Sequence, residues 1–421
     1  MKTIKQTFRN FTIAVLSICA TSNVFAQNNV EYDKYFTNDR LRVDLVFAGD
    51  VNKQEIFLDG LNKEIEWSGS KTILKSPLKY GEYLLELKNK NGEVIFSKGF
   101  NTLFQEWRTT EEAKVLKKAF SSSYTVPFPK DSISLCIYER LKSNGNYNKL
   151  SEFIIDPKDK LISTQLPYNY KVSPILNNGN STNKVDLLFI AEGYTREEMD
   201  KFKKDAQKFA DYLFELEPYK SRKSDFNIWA LESISKESGT DFPHKDIWKN
   251  TVANSNFYTF RTDRYLTAPD QKLVSQLASN APYDALYVIV NTDTYGGGGI
   301  YNFYGLSMSN HQLESQVFVH EFGHSFAGLA DEYYDSSTAY SDFYNLALEP
   351  WEPNITTKVD FDKKWKDMVG KNGVGLYEGG GYVAKGIFRP VENCRMKTNT
   401  PKEFCPVCKR AISLMIDCYT K

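Results

Sequence analysis

The apolar residues of this chain change their spacing near residue 160, and a chain whose period changes that sharply folds as two differently built units. Over residues 41–156 the period is two: Leu41, Val43, Leu45 and Phe47 alternate with Arg42, Asp44 and Val46. That alternation lines one face of a strand with apolar side chains. Ile133, Leu135 and Ile137 repeat the pattern. Residues 83–87 and 93–96 flank Asn91-Gly92, a dipeptide that supplies the positive backbone angles of a tight hairpin. Residues 110–120, with Glu111, Glu112, Lys114, Lys117 and Lys118, read as one short exposed helix. Several short strands in succession predict an antiparallel β-sandwich over residues 27–160. No group of His, Cys and carboxylates falls in this segment, so it shows no chemistry of its own.

A polar stretch around Pro157, Pro167, Pro174, Asn177, Asn178, Gly179 and Asn180 predicts a linker over residues 161–182. Residues 185–191 then form a near-continuous apolar run, the mark of a strand covered on both faces. Thr195 and Glu198 make a capping box, after which Met199, Phe202, Ala206, Phe209, Leu213 and Leu216 form one apolar stripe of a helix. With further strands at residues 227–232 and 285–290, residues 183–421 read as an α/β domain.

Lys2, Lys5 and Arg9 precede an apolar run over residues 11–20, and Val24-Phe25-Ala26 resembles a cleavage site, so residues 1–26 read as a signal peptide of an exported protein. A lipoprotein reading would use Cys19, but Ile18 is too bulky for the position before a lipidated cysteine. Fifty-three basic residues balance fifty-three acidic ones, and the discarded segment carries only basic charge, so the exported chain is slightly acidic. This excludes a strongly basic nucleic-acid binder, and no later segment is apolar enough to span a membrane. In an oxidising compartment Cys394, Cys405, Cys408 and Cys418 are expected to form disulfides, with three possible pairings. The Cys405-Pro406-Val407-Cys408 pair also has the spacing of half a zinc site or a redox pair. Cys136, in an alternating stretch, reads as a buried free thiol.

Only four histidines occur, and two of them, His320 and His324, bracket Glu321 in an HExxH. Apolar residues at helical spacing, Val317, Phe318, Phe322, Phe326 and Leu329, place the motif on a helix. Residues four apart share a helical face, so both imidazoles can reach one Zn2+ while Glu321 stands beside it as a general base. Gly328 can end the helix in a left-handed turn. Asp331 is the expected third ligand, with Glu332 as the alternative. Tyr295 and the four glycines after it read as a flexible loop leading into an edge strand that can bind an extended peptide.

The run over residues 320–334, with Glu192-Gly193-Tyr194-Thr195, Ser238-Gly239-Thr240-Asp241, Tyr295 and its glycines, Tyr377-Glu378-Gly379-Gly380-Gly381-Tyr382, Arg389-Pro390 and Cys394-Arg395-Met396, resembles the immunoglobulin-A peptidase family of zinc metallopeptidases. The resemblance spans residues 185–410. It implies a secreted, metzincin-like endopeptidase of gut-bacterial type with a zincin catalytic domain, His320, His324 and Asp331 on zinc, and Glu321 as general base. Relative to metzincins both the glycine and the third ligand fall one residue late, and Met396 stands where that group places a tight turn beneath the metal. Protein or peptide substrates are expected, mucosal glycoproteins and immunoglobulins among them. A peptidase-fold surface module without activity and a zinc amidase acting on cell-wall peptides are the rival readings.

Overall fold

A computed structural model describes residues 30–334 and 344–421. The signal peptide and Cys19 lie outside the described residues. Seven strands open the fold: β1 (Phe36–Gly49), β2 (Gln54–Glu66), β3 (Tyr83–Lys88), β4 (Val94–Phe100), β5 (Lys118–Pro129), β6 (Ile133–Arg140) and β7 (Tyr147–Ile155). They form two antiparallel sheets, ordered β2-β1-β5 and β4-β3-β6-β7. The alternating residues of β1 face the second sheet: the ring of Phe47 meets Tyr83 edge-on at 5.2 Å and Phe100 at 6.3 Å. Gly92 takes the positive φ, 81°, that the hairpin between β3 and β4 requires. The helix expected over residues 110–120 is a single turn, Glu111–Lys114, because β5 already begins at Lys118.

The polar face of β1 is also buried. Arg40, Arg42, Asp44 and Glu64 are each at most 5% exposed and pair with one another, Arg40 to Glu64 at 2.8 Å and Arg42 to Asp44 at 2.8 Å. Arg40 further donates to the carbonyls of Ala281 and Ser279, both at 3.1 Å, and lies over the ring of Tyr283. Period-two alternation therefore marks two buried faces here, one apolar and one charged, the second docked on the other half of the chain.

That half is built on a six-stranded sheet of β8 (Val172–Leu176), β9 (Val185–Glu192), β10 (Phe226–Leu231), β11 (Ala285–Val290), β12 (Gly297–Ile300) and β13 (Tyr304–Met308). The order is β12-β13-β11-β9-β10-β8, parallel from β13 to β10, with antiparallel strands at both edges. Residues 161–182, expected as a linker, thus contain β8, and its Pro174 occupies an edge strand where a missing amide is tolerated. Every residue of β9 is buried. Leu187, Phe189 and Ala191 share a core with three helices, Met199–Phe214, Glu314–Ala327 and Pro406–Thr420. Leu188 and Ile190, on the opposite face, join the core that holds Leu41, Val43 and Phe47 of β1. The capping box of Thr195 and Glu198 forms as expected. No helix among the described residues is long and apolar enough to cross a membrane.

Candidate active site

The helix Glu314–Ala327 carries the HExxH. Its apolar side is anchored under the sheet, where Phe318 lies 4.9 Å from Phe209 and 5.9 Å from Phe189. Its other side meets β12 almost backbone to backbone: a Cβ on Gly299 would stand 2.3 Å from the Glu321 carbonyl, and one on Gly297 would stand 2.8 Å from Val317. The glycine run is therefore a strand rather than a flexible loop, glycine being the residue that permits this approach. Its outer edge is already bridged at Gly297 by Tyr265.

Gly328 ends the helix with φ 63°, its amide bonded to the His324 carbonyl at 3.0 Å. This left-handed cap turns the chain so that Asp331 returns over the helix. Asp331 Oδ1 stands 3.0 Å from His320 Nε2 and 3.3 Å from His324 Nε2, and the two Nε2 atoms are 3.0 Å apart. Each imidazole is oriented from behind: His320 Nδ1 donates to the Arg395 carbonyl at 3.1 Å and His324 Nδ1 to the Leu329 carbonyl at 2.5 Å. A carbonyl can only accept, so in neutral rings both Nε2 atoms present lone pairs. Asp331 Oδ1 is buried with no hydrogen-bond partner. Three acceptors thus converge without a donor, and such a group demands a positive charge.

A proton can supply it. Burial opposes a charge on His324, but the Asp331 carboxylate lifts its pKa to about 9. Burial alone would raise Asp331, yet a protonated imidazole at His324, with His320 beside it, holds it below the usual carboxylate range. A divalent metal can supply the charge equally well, and two imidazoles with one carboxylate suit it. Glu321 stands beside them, its pKa raised by burial against the pull of the two histidines.

The expected residues His320, Glu321, His324 and Asp331 therefore line one cleft of about 680 Å³. Tyr382 donates its hydroxyl to Asp331 Oδ2, and in the same loop the Gly381 amide donates to the Asp331 carbonyl at 2.8 Å. Glu332, the alternative ligand, points elsewhere, toward Asn354 Nδ2 at 3.0 Å and Cys408 Sγ at 3.3 Å. Met396 is buried beneath the helix, its sulfur 3.0 Å from where a Cβ on Gly323 would sit. Disulfides do not form among the described residues: Cys136, Cys394, Cys405, Cys408 and Cys418 are all free thiols. Cys394, Cys405 and Cys408 gather in one place without bonding, and Cys418 is not among them.

The first half of the chain contributes to this cleft as well. Glu106, from the helix Leu103–Trp107, accepts a hydrogen bond from Tyr265 and lines the cleft with Asn101. Burial pushes its pKa up to about 7, opposed by Tyr265 and His324. Sequence reasoning found no chemistry there, and no local pattern could have revealed it, because Glu106 reaches the site only through the docking of the two halves.

The fold thus sets a candidate metal centre in a cleft, and the matching family model makes the chain a peptidase. The chain belongs to the IgA Peptidase M64 family, whose model matches residues 173–373 and 370–416, and the Peptidase M64 N-terminus model matches residues 31–151. Its substrate is accordingly a protein. No curated protein matches the chain.

Proposed function

We propose that this peptidase is an exported, zinc-dependent endopeptidase, with the two N-terminal sheets forming a β-sandwich and the six-stranded sheet with its helices a metzincin-like zincin. The observation that carries the metal assignment is the convergence of His320 Nε2, His324 Nε2 and Asp331 Oδ1 within 3.3 Å with no donor among them. Tetrahedral zinc with bonds of ~2.0–2.2 Å needs ligand separations of about 3.4 Å, close to those present. When bound, zinc supplies Lewis acidity to a water and to the scissile carbonyl.

The chain's own residues do the rest. Glu321, held against the ligands by its place in the helix, accepts the water's proton as its oxygen attacks the carbonyl carbon. The same carboxyl then delivers that proton to the amine nitrogen as the C–N bond breaks. Tyr382 holds Asp331 in the orientation that leaves Oδ1 free. A cleft of about 680 Å³ around these residues supports action on protein chains, mucosal glycoproteins and immunoglobulins among them.

The test is hydrolysis of a panel of mucosal proteins, immunoglobulins and cell-wall peptides, with and without chelator. Glu321→Gln is expected to retain the metal and lose hydrolysis by about 10²–10⁴-fold; full activity in that variant would refute the assignment. Asp331→Ala is expected to lower bound zinc in the same preparations. Cleavage confined to cell-wall peptides would convert the reading to an amidase.

A further inference from the structure

Directly behind the Asp331 loop lies a second cluster that the peptidase mechanism does not use. Glu332, Cys394, Cys405 and Cys408 are all buried, and one ligand atom from each lies within 4.8 Å of the others. They come from three separate places: the loop after the HExxH helix, the turn that ends in Met396, and the start of the C-terminal helix. Cys405 caps that helix and Pro406 opens it, which turns Cys405 and Cys408 onto one side.

The distances decide among the possible states of these thiols. Cys394 Sγ and Cys408 Sγ are 3.9 Å apart, far beyond the ~2.05 Å of a disulfide. A mononuclear tetrahedral zinc with Zn–S of ~2.3 Å and Zn–O of ~2.0 Å requires S···S edges of about 3.8 Å and S···O edges of about 3.5 Å. The Cys408 Sγ to Glu332 Oε1 distance is 3.3 Å. Backbone amides point at the sulfurs as they do toward thiolates, Cys405 N to Cys394 Sγ at 3.2 Å and Cys408 N to Cys405 Sγ at 3.4 Å. Glu332 Oε2 is buried with no hydrogen-bond partner. Three soft sulfurs and one carboxylate oxygen, enclosed by protein, match a closed zinc site and not the oxygen shell of calcium or magnesium.

We propose that Glu332, Cys394, Cys405 and Cys408 bind a second, structural zinc ion. On binding, the three thiols release their protons to solvent and the ion joins the Asp331 loop to the C-terminal helix. The site also fixes the floor of the cleft. The Glu332 amide donates to the Met396 carbonyl at 2.8 Å, and the Arg395 carbonyl between Cys394 and Met396 orients His320.

Metal analysis of protein purified without chelator or reductant tests this. Wild type is expected to hold two zinc ions per chain, and a His320→Ala/His324→Ala double variant is expected to retain one. One ion in wild type and none in the double variant would overturn the proposal while leaving the proposed peptidase centre intact. Cobalt substitution of the double variant provides a readout that does not require any cysteine variant to fold. A thiolate-to-cobalt charge-transfer band supports the site, and its absence sinks it. Alkylation after unfolding in chelator completes the test: Cys394, Cys405 and Cys408 should all be labelled, and a disulfide between any two of them would contradict the assignment.

Discussion

Asp331 and Glu332 are adjacent carboxyl residues and both buried, yet one closes on the histidines and the other on the cysteines. Spacing from Gly328 favours Asp331, but the direction of each side chain follows from what the Met396 turn and the Tyr382 loop bond to on either side. His320, Glu321 and His324 were legible because a helix makes its own geometry, independent of distant chain. Glu106 was not, and it yields a prediction at this scale. Its pKa is raised from 4.5 to about 7, by burial first. A carboxyl raised in the folded state contributes stability that is fully present below pH 4.5 and is lost as pH rises through about 7. In chelator-treated protein, melting temperatures should therefore fall over that window more steeply for wild type than for Glu106→Gln. Equal slopes would remove Glu106 as the cause.

At the scale of elements, the glycine run shows how tertiary contact reinterprets a local signal. Four consecutive glycines disfavour any regular structure, and by propensity alone they read as a loop. Three of them, Gly297, Gly298 and Gly299, form a strand because the HExxH helix packs close against it, leaving no room for a Cβ at Gly297 or Gly299. Gly299→Ala should accordingly push the helix at Glu321, costing about 1–3 kcal/mol in denaturant unfolding. Peptidase activity should drop with it. A variant of unchanged stability and activity would show that the approach is looser than the distances imply. The cysteines teach the same lesson: their number and an exported setting pointed to disulfides, whereas three of them converge around Glu332 from elements that only the fold brings together.

The whole molecule is held together by a sheet with different partners on its two faces. Helices cover one side, and the N-terminal sheets share a continuous core with Leu188, Ile190, Val288 and Val290 on the other. Deleting residues 30–160 would uncover that face, so the remaining chain is expected to bind a hydrophobic dye and aggregate on size-exclusion chromatography. A soluble, monomeric and fully active fragment would show that the docking is dispensable. The sequence by itself determined the change of period, the strand and helix that follow it, the left-handed exit at Gly328 and the face of one helix that carries the candidate metal ligands, because each depends on neighbours a few residues apart. Only the tertiary structure decided what covers the second face of β9, which acidic residue meets the histidines and which the cysteines, and that the N-terminal half lends Glu106 to the cleft. Those outcomes depend on desolvating groups from segments tens to hundreds of residues apart, and no local pattern encodes which of them meet.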